Sequence, residues 1–229
     1  FLLVITLIIS IPLSTGAGIY LAEYAKKGRL TDFIRTCIEI LSSLPSVVVG
    51  LFGYLIFVVQ FEYGFSILSG ALALTVFNLP QMTRNVEDSL RHVHHTQREA
   101  GLALGISRWE TVLHVVIPEA LPGIVTGIVL ASGRIFGEAA ALIYTAGQSA
   151  PALDWSNWNP FSVTSPISIF RQSETLAVHI WKVNSEGTIP DGTLVSAGSA
   201  AVLLIFILIF NLAARRIGKV LHKKLTSAQ

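Results

Sequence analysis

Charge is scarce in this sequence. Only 13% of its 229 residues are Asp, Glu, Lys or Arg, against roughly 25% in an ordinary soluble domain. That depletion argues against a soluble enzyme and against a disordered chain. The formal net charge is only +2, so the basic excess that nucleic-acid binders concentrate on one face is missing as well. Cysteine is reduced to Cys37, which rules out an internal disulfide and a zinc-type cysteine cluster. No Walker A sequence, Gly-x-Ser-x-Gly or His-Glu-x-x-His occurs. Without a phosphate loop the chain is not expected to hydrolyse ATP itself. No internal repeat or low-complexity stretch interrupts it.

Apolar residues make up 52% of the chain, and mean hydropathy is +0.64. The class this implies is an all-α, polytopic membrane protein. About 20 apolar residues cross a bilayer core, and five stretches qualify: about 1–22, 38–61, 63–83, 124–145 and 194–214. The runs are continuous, without the every-second-residue alternation of a transmembrane barrel. Backbone in lipid must satisfy its own hydrogen bonds, so helices are expected. Residues 1–22 have no basic region before them and no clear cleavage site, so they read as a span and not as a signal peptide.

The basic residues fix an orientation. Lys26, Lys27, Arg29 and Arg35 lie between the first two spans. Arg84, Arg91, Arg98 and Arg108 lie between the third and fourth, and Arg215, Arg216, Lys219, Lys223 and Lys224 follow the fifth. The positive-inside rule puts these three segments, including the basic tail 215–229, in the cytoplasm. The segment 146–193 has only Arg171 and Lys182 and is expected outside. Its Trp155, Trp158 and Trp181 suit interface anchors, while Asp154 and the Trp155–Trp158 region equally suit contact with an external protein. The chain begins at Phe1, and Met82 is its only methionine. Five spans of this polarity imply a further helix upstream if the N-terminus is cytoplasmic.

The connection 84–122 is long. Val86, Leu90, Val93 and Gln97 give a partial helical stripe, and Ala100, Ala103 and Leu104 share a face further on. Gly105 interrupts. Ser107 with Glu110 three residues later then signals a new helix start. The reading is two short helices meeting at a glycine turn. A small-residue face there suits docking into a partner's groove; a solvated hairpin fits the residues as well.

Glu99-Ala100-Gly101, three residues, Gly105, nine residues, then Val115-Val116-Ile117-Pro118 resembles the EAA loop of ABC importer permeases. Gly101, Val115 and Ile117 depart from that pattern conservatively. Leu44 to Gly53, Leu79-Pro80, Thr83 to Leu90, and Arg134 to Leu142 are similar to segments of the phosphate permeases, and more to PstA than to its companion subunit. Ala139 and Ala141 stand where that group has Thr and Pro. The resemblance runs from residue 1 to about 214. It implies a type I ABC importer permease fold over 1–214, in the cell membrane. It implies a coupling loop in which Glu99, Ala100, Gly101, Ala103, Gly105 and Pro118 contact a cytoplasmic ATPase. The implied partners are a second, PstC-like permease subunit, a PstB-like ATPase dimer and a PstS-like external phosphate-binding protein. ATP and magnesium would bind the ATPase; no cofactor or metal is expected on this chain.

Arg134 and Glu138 are the only charges well inside an expected span. A charge at the bilayer centre costs about 2.5–3.5 kcal/mol on insertion scales, so two need a reason. At i,i+4 they share a helical face. A structural ion pair explains them, and so does a face lining the translocation path. Arginine's fork matches phosphate oxygens, and Glu138 would hold it between anions. Phosphate import is the expected function; another oxyanion or small solute is the alternative. His92 and His95 have helix-ligand spacing, but a solvated cluster with His94 explains them better. A membrane-embedded hydrolase would need convergent His, Asp or Ser groups, which the sequence does not place.

Overall fold

The structure is a computed structural model that describes residues 1–187 and 190–226. The described residues contain helices and no strand. The helices are α1 (Leu2–Ile19), α2 (Arg29–Ser42), α3 (Ser46–Gly53), α4 (Ile67–His92), α5 (His95–Ala103), α6 (Arg108–Thr111), α7 (Ile117–Gly137), α8 (Ala140–Thr145), α9 (Leu176–Glu186) and α10 (Gly192–Thr226). Wider π turns continue α1 over Tyr20–Tyr24 and α3 over Tyr54–Gln60, and a third, Val112–Val116, joins α6 to α7. The last has a local cause. Pro118 has no N–H to donate to the His114 carbonyl, and its ring would collide with that group in a regular helix, so the turn widens there.

Three helical stretches are long and apolar enough to cross a membrane: Leu2–Tyr24, Arg108–Gly137 and Gly192–Val220. A fourth is reached if Arg29–Ser42 and Ser46–Gln60 count as one broken span. Pro45 causes that break, because a residue before proline is pushed out of helical conformation and Pro45 itself is extended (φ −61°, ψ 136°). The helix beginning near 63–83 starts at Ile67 and runs on to His92. The stretch 124–145 is interrupted at Glu138 and Ala139.

The chain divides into two compact units. The first comprises residues 1–9, 43–78 and 132–208. Leu2, Ile67, Leu74, Ile135, Ala141, Leu142, Ala146 and Val178 form its core. The loop after α8 is pinned to the start of α4 by backbone bonds: Ile67 N–H donates to the Arg171 carbonyl (2.9 Å) and Leu68 N–H to that of Ile169 (2.9 Å). Thr175 caps α9 by accepting from Val178 N–H. The second unit comprises residues 10–42, 79–131 and 209–229. Its core is Val86, Leu90, Val93, Val116, Ala120 and Ile124, with Ile19 and Ala22 packed against it. Of the partial stripe, Val86 and Leu90 on α4 and Val93 just after it are in this core, while Gln97 falls on α5.

Candidate functional site

In the second unit, α5 is a nine-residue helix that ends at a glycine turn. Gly105 has φ +77°, the left-handed conformation that glycine adopts without strain. Ser107 then starts α6 with a complete capping box: its hydroxyl accepts from Glu110 N–H, and the Glu110 carboxylate accepts from Ser107 N–H (3.0 Å). The two short helices expected around Gly105 are therefore built by the residues that signalled them.

Ala100, Gly101 and Pro118 line one groove of about 320 Å³, with Leu104, Ile106 and Val115. Residues 17 and 18 positions apart in sequence meet there because the chain folds back at Gly105. Glu99, Ala103 and Gly105 lie outside the groove and are exposed; Glu99 sits 3.5 Å from His95. Leu102, Leu104, Ile106 and Trp109 are exposed too, giving this hairpin an apolar outer surface.

Gly101 is buried and faces Thr111. A Cβ there would lie 2.6 Å from Thr111 Cγ2 and 2.9 Å from Oγ1. The departure from alanine at this position therefore has a steric partner ten residues on. Gly101→Ala should destabilise the purified protein by about 1–3 kcal/mol of overpacking, lowering the melting midpoint by at least about 2 °C. Combining it with Thr111→Ala should restore most of the loss. An unchanged midpoint in the single variant would refute this packing account.

Two buried carboxylates, neither singled out by the sequence patterns, tie this unit together: Glu23 holds the hairpin to the end of α1, and Glu87 holds α4 to α2. Glu23, in the π turn after α1, accepts from Arg98 Nε (3.0 Å) and Nη2 (2.7 Å). Arg98 also donates to the Val93 and Leu90 carbonyls (both 2.6 Å). Arg108 donates to the Glu23 carbonyl and lies over the Tyr24 ring (5.2 Å). Glu87 on α4 accepts from Arg35 Nε (3.0 Å) and contacts Arg91 (2.9 Å). Arg84 meets Glu39 at 2.8 Å. The arginines that marked the cytoplasmic face by number are thus largely structural ties. The available signal was the presence of a few acids at helix ends beside so many arginines.

In the first unit, Arg134 lies on the last turn of α7 with its guanidinium 4.6 Å from the Phe77 ring centroid, within cation–π range. Glu138 is past the end of that helix. Its carboxylate accepts from Ala141 N–H (3.2 Å), so it caps α8. The single helical face expected for Arg134 and Glu138 is therefore interrupted at Gly137. Two of the segments that carried the resemblance pack together here: a Cβ on Gly50 of α3 would lie 2.7 Å from Ala141 Cα. Asn78 spends its amide on its own helix, donating to the Leu74 carbonyl (2.9 Å). His92 Nδ1 lies 2.6 Å from the Asp88 carbonyl, and His94 is near Thr96.

Comparison with known proteins agrees with this architecture. Residues 14–227 match the family described as the inner membrane component of binding-protein-dependent transport systems. A probable ABC transporter permease, YqgI of Bacillus subtilis, is 58% identical over 99% of this chain and 77% of that protein. The phosphate transport system permease protein PstA of Xylella fastidiosa is 35% identical over 92% of this chain and 69% of its own length. PstA 2 of Mycobacterium bovis is 35% identical over 89% and 64%. Among solved structures, an inward-facing MetNI methionine ABC transporter superposes with a TM-score of 0.69 at 18% identity, over 96% of this chain and 89% of that one. That likeness establishes the fold as the type I ABC importer permease fold. The chain belongs to the binding-protein-dependent ABC permeases, of PstA type, and is a multi-pass membrane subunit of an ABC importer.

Proposed function

We propose that this subunit carries inorganic phosphate across the cell membrane by alternating access. The supporting observation is the likeness to PstA proteins over about nine-tenths of the chain. The chemistry at Arg134 is compatible with it, since a guanidinium presents a planar fork to phosphate oxygens. In this reading Arg134 lines the path. Glu138 steadies the arginine between anions and keeps the site from becoming a trap, because conduction needs release as well as binding. An external PstS-like binding protein delivers the anion, and a PstC-like permease subunit completes the path. A PstB-like ATPase dimer binds ATP and magnesium in the cytoplasm, where the hairpin of α5 and α6 and the basic stretch 215–229 also lie. Glu99, Ala100, Gly101, Ala103, Gly105 and Pro118 form the coupling region that the ATPase grips. The exposed Leu102, Leu104, Ile106 and Trp109 supply its apolar contact.

A second reading has its own support. The printed name of the 58% identical relative gives no substrate, so import of another oxyanion or small solute is the alternative. Radiolabelled phosphate uptake separates the two. Cells with the chain deleted should lose uptake that excess sulfate does not suppress in cells retaining it. Undiminished uptake after deletion, with other phosphate systems inactivated, would remove the phosphate assignment.

A further inference from the structure

We propose that the C-terminal end of α10 forms, with α7, a built site for the headgroup of an anionic phospholipid. The residues of 194–214 rise about 32 Å as a helix, close to the roughly 30 Å hydrocarbon core. Arg215 therefore enters the headgroup layer. The apolar window of α10 is only 6% buried within the chain, which leaves the helix open for lipid to approach the site.

The site is a cavity of about 310 Å³ between Pro122, Val125 and Thr126 of α7 and Arg215, Gly218, Lys219 and His222 of α10. Gly218 makes it possible. It is buried between exposed neighbours, and a Cβ there would lie 2.5 Å from Val125 Cγ1. The two helices thus meet closely at Gly218, while Arg215 and Lys219 flank the contact. His222 Nδ1, 3.1 Å from the Pro118 carbonyl, donates to it and closes the far end.

Charge complementarity identifies the occupant. In the same unit Arg35, Arg84, Arg91 and Arg98 each have a carboxylate partner. No carboxylate lines this cavity. Among the described residues none lies within ion-pair distance of Arg215 or Lys219. The described residues thus supply no counter-charge to this pair. At the depth of the headgroups, beside an apolar floor of Pro122 and Val125, the fitting group is a lipid phosphodiester. Arginine takes two of its oxygens in a fork and lysine adds a point charge. Basic pockets between membrane helices select anionic headgroups on these grounds.

The test uses the purified importer containing the full chain, with native mass spectrometry counting lipids retained after exposure to phosphatidylglycerol or phosphatidylcholine. The wild type should retain phosphatidylglycerol in preference. Arg215→Gln with Lys219→Gln should lose that preference severalfold. Arg216→Gln with Lys223→Gln, which removes the same charge outside the cavity, should keep it. Equal loss in both variants would reduce the effect to diffuse attraction by the tail and overturn the site. Equal retention of the two lipids by the wild type would also overturn it. So would displacement of phosphatidylglycerol by millimolar inorganic phosphate, which would make the cavity a free-anion site. Melting of the wild-type complex gives a readout that needs no variant: phosphatidylglycerol should raise the midpoint above that in phosphatidylcholine, and equal midpoints count against the site. None of these outcomes depends on which solute is transported.

Discussion

Arg98→Ala should sharply reduce coupled transport while leaving the helical hairpin intact. Glu23 is almost wholly buried, with its side chain 6% exposed, and Arg98 is 23% exposed. Removing one partner of such a pair strands a charge in a poor solvent, at a cost of about 3–5 kcal/mol. Arg98 also donates to two backbone carbonyls at the end of α4 and in the turn that follows, and truncation leaves those groups unpaired too. The hairpin itself is held by contacts that Arg98 does not make, namely the capping box at Ser107 and the Gly101–Thr111 packing. What is lost is the ion pair between α5 and the end of α1, while Arg108 of α6 still reaches the Glu23 carbonyl and the Tyr24 ring. In the proposed reading the ATPase grips the hairpin, so its closure would reach α1 through the Arg108 contacts alone. The expected result is normal membrane level, retained co-purification of the ATPase, and strongly reduced uptake. The partner variant makes the account specific. Glu23→Ala with Arg98→Ala removes both charges, and should melt higher than Arg98→Ala alone. If the double variant is no more stable than the single, the stranded-charge explanation fails. If Arg98→Ala transports normally, the tie does not carry the motion.

How much of this could be read in the sequence depends on the distance over which each signal acts. Class and helix type follow from composition and continuous apolar runs, which are local and strong. The hairpin at Gly105 was legible because a left-handed glycine and a Ser-x-x-Glu box act within four residues. Helix lengths were less legible. α4 continues as a helix through Thr83–His92 because a polar segment stays helical when Val86, Leu90 and Val93 find a core, and hydropathy does not register that core. The break at Glu138 was hidden for a similar reason. Spacing at i,i+4 presumes an unbroken helix, while the carboxylate in fact caps the short helix that begins after it. The ties of Glu23 to Arg98 and of Glu87 to Arg35 were invisible because those partners are 75 and 52 residues away; only the Glu87–Arg91 contact, four residues apart, is local. Nothing in a single sequence says which acid meets which arginine across such separations.

The path role proposed for Arg134 predicts that Arg134→Gln should lower phosphate uptake sharply with little change in protein level. The guanidinium lies against the Phe77 ring, a contact that stabilises a cation. A charged hydrogen bond contributes about 1.5–3 kcal/mol. Removing the cation from a path that must pass a multiply charged anion should then cost about ten- to a hundredfold in uptake at subsaturating phosphate. Glutamine retains a donor and similar volume, so a loss of that size would be due to charge. Arg134→Lys separates charge from geometry, because lysine keeps the charge but not the two-toothed fork. If the arginine meets the anion directly, lysine should recover only part of the uptake. If its role is to pack on Phe77 and steady the end of α7, Arg134→Gln should instead lower thermal stability and leave the selectivity for phosphate over sulfate untouched. Measuring uptake, selectivity and melting on the same three proteins therefore distinguishes a path residue from a structural one. Full uptake by Arg134→Gln at normal protein level would place the anion's route elsewhere in the first unit or in the companion subunit.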